Sequence, residues 1–234
     1  MRLFVTLLRM LLFFLISKNN INLYLKNSCY NLIVFNKVKE IEMTKLLLSL
    51  TAAAVLATGL MAAEEPAKKK KQTVLKLYLT PKEAYDMKEK NPNKVLFVDV
   101  RTPEEVYFVG HAADIDYNIP YKYVDYDKFN KKKKGFASHK NKDLVKEFDE
   151  AIKEKGLTKH DPIIVICRSG DRSAMTVNEL AKAGYTKVYT VVTGTEGDKD
   201  KTTGKRTVNG WKNDKLPWNY KFNPEYFKFI MPKK

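Results

Sequence analysis

Two hydrophobic patterns alternate along the chain, and together they predict strands and helices in turn. Lys94 to Val100, Pro162 to Ile166 and Lys187 to Val192 are short runs rich in Val, Ile, Leu and Phe, the mark of strands buried on both faces of a parallel sheet. Between them the apolar positions recur at helical spacing. Leu144, Val145, Phe148, Ala151 and Ile152 form one stripe that ends at Gly156, and Ala174, Val177, Leu180 and Ala181 form another, closed by Gly184. Two helix starts carry capping signatures: Thr80 with Pro81 and Glu83, stopped by Asn91-Pro92, and Thr102 with Pro103 and Glu105, stopped by Gly110. Alternating strands and helices define the α/β class.

The first third follows neither pattern. Met43 to Ala63 has a charged start, an apolar middle and a small-residue end, which predicts a secretory signal peptide at 43–63 and a periplasmic destination. An uncleaved amino-terminal anchor is the alternative, and membrane contact is expected through the signal or that anchor. Residues 1–42 are expected to be a non-native upstream extension with Met43 as the true start, since a signal peptide should not begin at residue 43. The rival reading makes Met1 to Ser17 an anchor, although seventeen residues are short for a full span. Residues 64–75, with Lys68 to Lys71, read as a solvated basic linker to the domain at 76–220. The stretch 221–234 reads as an aromatic and basic tail that packs back on the domain.

Charge changes this picture little. The chain of 234 residues carries 43 Lys/Arg against 27 Asp/Glu, and removing the first 63 residues leaves 36 against 25, a net +11. The lysines lie in runs rather than on a patterned face, so nucleic acid is not expected as a partner; an anionic membrane surface or an acidic partner fits the balance. No Cys/His cluster has metal-ligand spacing, and neither metal nor cofactor is expected. Cys29 lies before the expected cleavage site, so Cys167 would be the lone thiol of the processed chain.

The chemistry points to that cysteine. Cys167-Arg-Ser-Gly-Asp-Arg-Ser173 follows the Pro162 to Ile166 strand at its carboxyl end, where open α/β sheets place their ligand sites. The loop's amides and the free amides of the following helix's first turn can converge on the sulfur, and Arg168 and Arg172 add positive charge; each effect favours thiolate over thiol. Gly170 permits the tight turn. A lone cysteine after a buried strand can also be an inert core residue, but the polar Arg-Ser-Gly-Asp-Arg flank would be wasted on such a position.

Cys167-Arg-Ser-Gly-Asp-Arg-Ser173 resembles the active-site loop of the rhodanese family of sulfurtransferases. More of that pattern lies in Val95-Leu-Phe-Val-Asp99-Val-Arg101-Thr-Pro-Glu-Glu105, Gly110-His111, Asn118-Ile-Pro120, Ala183-Gly184-Tyr185 and Gly210-Trp211 with Leu216-Pro217-Trp218. The resemblance spans most of 76–220 and implies a three-layer α/β/α fold around a parallel sheet of about five strands. It implies sulfur transfer from a small sulfur-containing anion such as thiosulfate, through a persulfide on Cys167, to a thiophilic acceptor that could be a thiol protein. Arg168, Ser169, Gly170, Asp171, Arg172 and Ser173 would bind the substrate, with Asp99 and Arg101 in a supporting polar surround and His111 structural.

Two rivals remain beside it. A non-turnover persulfide carrier or protein-binding module would keep the same loop, and a cysteine phosphatase needs five residues between cysteine and arginine where this loop has four. Departures from the pattern are Ala112-Ala113-Asp114, an aromatic and lysine-rich insertion at 121–140 that could wall the entrance or be plain surface, and Thr193-Gly-Thr-Glu-Gly-Asp198 in place of a double-glycine turn.

Overall fold

The computed structural model describes residues 63–132, 134–221 and 223–231. The extension at 1–42 and, apart from Ala63, the signal peptide at 43–63 lie outside the described residues. Among those described, no helix is long and apolar enough to cross a membrane.

Five strands make one parallel sheet: β1 (Tyr78–Leu79), β2 (Leu96–Asp99), β4 (Tyr117–Asn118), β7 (Ile163–Ile166) and β8 (Val188–Val191), in the order β1-β8-β7-β2-β4. Strand residues alternate between the two faces, so period-two patterning sorts the core into halves. Leu96, Val98, Ile163, Val165 and Val188 share one cluster with Leu144, Phe148 and Ala151 of helix α3 (Leu144–Glu154) and Val177 and Leu180 of helix α4 (Asp171–Lys182). Phe97, Ile164, Ile166 and Val191 face the other way, against Ala84 of helix α1 (Pro81–Lys90) and the fully buried Trp211. Covered on both faces, the sheet forms the middle of three layers.

Both capping boxes form. The Thr80 side chain accepts from the Glu83 amide at the start of α1, and Thr102 does the same for Glu105 at the start of α2 (Pro103–Val109). Because β2 and β7 pair in parallel register, with Asp99 beside Ile166, their carboxyl ends meet at one edge of the sheet. That edge carries Cys167.

Two small antiparallel sheets complete the domain. β3 (His111–Ala112) pairs with β9 (Trp218–Asn219), while β5 (Lys122–Asn130) and β6 (Gly135–Lys140) pair only with each other as a hairpin. That hairpin is the insertion seen in the sequence. The aromatic tail packs on the domain: Phe227 is buried, Tyr226 meets His111 edge to face at 5.2 Å, and Phe229 meets Tyr117 likewise at 5.2 Å.

One segment departs from expectation. Lys68 to Lys71, read as a solvated linker, ends in a 3-10 turn (Lys69–Lys71) whose last lysine is buried. The Lys71 ammonium donates to the Val192 carbonyl at 3.1 Å and to Asp198 at 3.3 Å, and Lys70 pairs with Asp171 at 2.5 Å. Lys68 to Lys70 remain exposed. A lysine run looks solvated in sequence because nothing local reveals a distant carbonyl and carboxylate waiting for one of its heads.

Candidate active site

β7 is the central strand of the sheet, and the chain leaves it at Cys167 into a loop that ends at the amino terminus of α4. The Gly170 amide donates to the Cys167 sulfur at 3.2 Å. Ser173 Oγ lies 3.5 Å from the sulfur and is itself held, donating to the Gly170 carbonyl at 3.1 Å and accepting from Thr190 Oγ1 at 2.8 Å. Gly170 sits at φ +96°, and a Cβ there would stand 2.3 Å from the Val192 carbonyl oxygen, so no other residue closes this turn without moving its neighbour. The positive end of the α4 dipole abuts the loop and favours negative charge there.

The loop is clamped from behind by a turn the sequence offered only as a departure. The amide of Thr195 donates to the Cys167 carbonyl at 2.8 Å, and those of Glu196 and Gly197 to the Arg168 carbonyl at 2.9 and 3.3 Å. Gly194 makes the approach possible, since a Cβ at its φ of +66° would fall 2.2 Å from the Cys167 carbonyl oxygen.

Both arginines are already partnered. Arg172 makes a two-pronged pair with Glu105 of α2, at 2.5 and 2.8 Å, the geometry in which guanidinium and carboxylate bind best. Burial alone would raise the Glu105 carboxyl, but the hydrogen bonds and charge of Arg172, helped by the Thr102 amide, pull it from 4.5 down to about 2. Burial opposes the charge on Arg172 as well, and Glu105 outweighs it, so that guanidinium is held more firmly protonated. Arg168 is half exposed and pairs with Glu196 at 3.3 Å. Sequence reasoning saw Glu105 as a cap and missed both carboxylates as partners of the loop.

A cleft of about 710 Å³ opens over the cysteine. Cys167, Arg168, Ser169, Asp171 and Arg172 line its floor with Thr102 and Glu105, while Lys122, Val124, Phe136 and Ser138 of the hairpin form a wall. Of the two readings of the 121–140 insertion, the structure realises the wall. Gly170 and Ser173 lie behind the floor, fully or nearly buried.

Asp99 and Arg101 are not among the residues that line this cleft. Both are fully buried and bound to each other, Arg101 Nε and Nη2 reaching Asp99 Oδ2 at 2.9 and 2.7 Å, while Nη2 also donates to the Gly110 carbonyl at 2.8 Å. Arg101 lies behind the residues that line the cleft: its guanidinium ties the end of β2 to the end of α2, and its charge adds to that of Arg172 in holding the Glu105 carboxyl low. The two-residue spacing lets Arg101 fold back on Asp99. His111 is likewise buried, with Nδ1 at 2.8 Å from the Ala112 carbonyl.

A three-layer arrangement around a parallel sheet, with a buried cysteine just past the end of its central strand and a short loop leading from that sulfur to a helix amino terminus, defines an α/β domain with a cysteine-centred loop. The chain belongs to the rhodanese-like family, whose Rhodanese-like domain model matches residues 80–201. An uncharacterised protein of Rickettsia rickettsii is 38% identical over 139 residues, covering 58% of this chain and 92% of that protein. A chloroplastic thiosulfate sulfurtransferase of Arabidopsis thaliana is 35% identical over 98 residues, 42% of this chain and 68% of that protein. The crystal structure of an M. tuberculosis protein aligns with a TM-score of 0.48 at 27% identity, covering 62% of this chain and 97% of its own. The protein is thus a member of a sulfurtransferase family.

Proposed function

We propose that the domain transfers sulfane sulfur through a persulfide on Cys167. The thiolate attacks the outer sulfur of a donor such as thiosulfate; a new sulfur–sulfur bond forms, the donor's own sulfur–sulfur bond breaks, and sulfite leaves with the bonding electron pair. An acceptor nucleophile then attacks the outer persulfide sulfur and restores the Cys167 thiolate. The observation that carries this reading is the Gly170 amide on the Cys167 sulfur, at the head of α4 and in a loop clamped by the 194–197 turn. That arrangement stabilises charge on sulfur before and after loading. Arg168, Ser169, Asp171 and Arg172 would meet the donor on the cleft floor.

Intact-mass measurement tests the reading. Thiosulfate should add the mass of one sulfur atom to the wild type, cyanide should remove it, and Cys167→Ala should show neither change. A Cys167→Ala protein that still transfers sulfur refutes it. We also propose that the domain works after export, on the signal-like pattern of 43–63; amino-terminal sequencing of secreted protein should then begin near Glu64.

A further inference from the structure

We infer that the β5–β6 hairpin is a docking surface for an acidic protein that presents the sulfur-accepting thiol on a projecting segment. The inference rests on the sulfur-transfer reading and names its acceptor class.

Cys167 is only 1% exposed, at the floor of a cleft of about 710 Å³. That volume lies in the range that holds drug-sized ligands and far exceeds what a small inorganic donor fills. An acceptor must reach in to touch the persulfide. A thiol on an extended segment can do so, whereas a membrane plane cannot enter and a nucleic acid brings no thiol.

One wall of that cleft is the hairpin, whose two strands pair with nothing else in the described structure. It bears exposed aromatic rings: Tyr126, Phe129 and Phe136 are 59%, 65% and 57% accessible, and Tyr126 packs edge to face on Phe136 at 5.2 Å. The Tyr126 hydroxyl donates to Glu104 at 2.9 Å, which fastens the hairpin to α2 beside Glu105 and so fixes the patch relative to Arg172. Exposed aromatics held in place are the usual anchors of a protein interface.

The charge specifies the partner. Residues 122–140 hold seven lysines against two aspartates, a net +5 on one small hairpin. Its turn keeps Lys134 at a left-handed φ of +51°, where asparagine or glycine sits with less strain. A lysine-rich hairpin that also carries aromatic anchors is complementary to an acidic surface and speeds its encounter, although Lys140 is already paired with Glu179 at 2.6 Å.

The test offers sulfur preloaded on the protein to synthetic peptides whose central cysteine is flanked by glutamate, glutamine or lysine, with cyanide as the small acceptor. The variant combines Lys128→Gln, Lys131→Gln, Lys132→Gln and Lys134→Gln, none of which lines the cleft. The glutamate peptide should react about tenfold faster than the lysine peptide at low salt, lose its lead at high salt, and fall to the glutamine peptide's rate in the variant, with cyanide turnover unchanged. Equal rates for acidic and basic peptides, or a preference that survives the four substitutions, overturns the inference. Fluorescence anisotropy of the glutamate peptide with serine for cysteine reads docking without sulfur chemistry. Lysine-dependent anisotropy beside absent cyanide turnover would sink only the sulfur-transfer reading and leave the docking surface standing. Single-stranded RNA or phosphatidylglycerol vesicles that bind through these lysines while the acidic peptide does not would overturn the docking inference.

Discussion

Glu105→Gln isolates the charge that holds the candidate active-site loop. Glutamine keeps the shape of Glu105 and an acceptor for the Thr102 amide, now 3.1 Å away, so the loss measured is that of the charge on the Arg172 pair. The carboxyl moves from 4.5 to about 2 in the folded protein, which corresponds to about 3 kcal/mol. Removing one partner of a buried ion pair costs about 3–5 kcal/mol; with a quarter of the Glu105 side chain exposed, solvent screening favours the lower end. The sign follows from the depressed value: the stabilisation is complete above the unfolded value of 4.5 and is lost as pH falls toward about 2. Urea unfolding of wild type and variant should therefore show a gap of about 3 kcal/mol near neutral pH, shrinking to less than about half of that near pH 3. Combining Glu105→Gln with Arg172→Met should cost less than the sum of the single changes, because the second removes the charge the first strands. A gap independent of pH, or one under about 1 kcal/mol at neutral pH, would refute the reasoning.

Gly194→Ala should destabilise by more than about 2 kcal/mol and slow sulfur transfer, because strain at positive φ adds to a clash with the Cys167 carbonyl. Gly156→Ala is its control: the φ is the same +66° but the added Cβ meets nothing, so thermal melting should shift by the strain alone and transfer should be unaffected. Arg168→Gln should raise the KM for thiosulfate roughly threefold to tenfold with kcat little changed, a modest effect because the side chain is half exposed and shared with Glu196. Glu196→Gln should lower KM, and an unchanged KM in Arg168→Gln refutes a donor-binding role for that residue. Phe148→Ala, opening the core between α3 and the sheet, should cost about 3–5 kcal/mol in urea unfolding without a selective effect on KM.

Local rules made the fold legible. Ile163 to Ile166 reads as a strand because both its faces are buried, and the two capping boxes read as helix starts because each closes within four residues. The hairpin was opaque for an equally local reason. The register shifts between Asp125 and Phe129, so the strand loses its period-two pattern, and its outer residues face solvent where no core enforces one. The site was half legible. Cys167 and its loop stand together in sequence, but Glu105 lies 67 residues from Arg172, and Lys71 lies 121 from the carbonyl it caps. A single chain carries no signal for such pairings beyond the presence of opposite charges.

The same limit hides how the cysteine loop gets its shape. A trans peptide points its C=O and N–H in opposite directions. When Thr195 takes the Cys167 carbonyl and Glu196 and Gly197 take that of Arg168, the amides of Arg168 and Ser169 are turned away from the 194–197 turn. Gly170 continues the curl with φ at +96° and brings its own amide onto the sulfur. The orientation of the Arg168 and Ser169 amides is thus set by hydrogen bonds from a segment some thirty residues downstream. Ser-Gly-Asp-Arg supplies a chain able to curl, and the turn beginning at Gly194, free of a side chain where it meets the loop, decides which way it does.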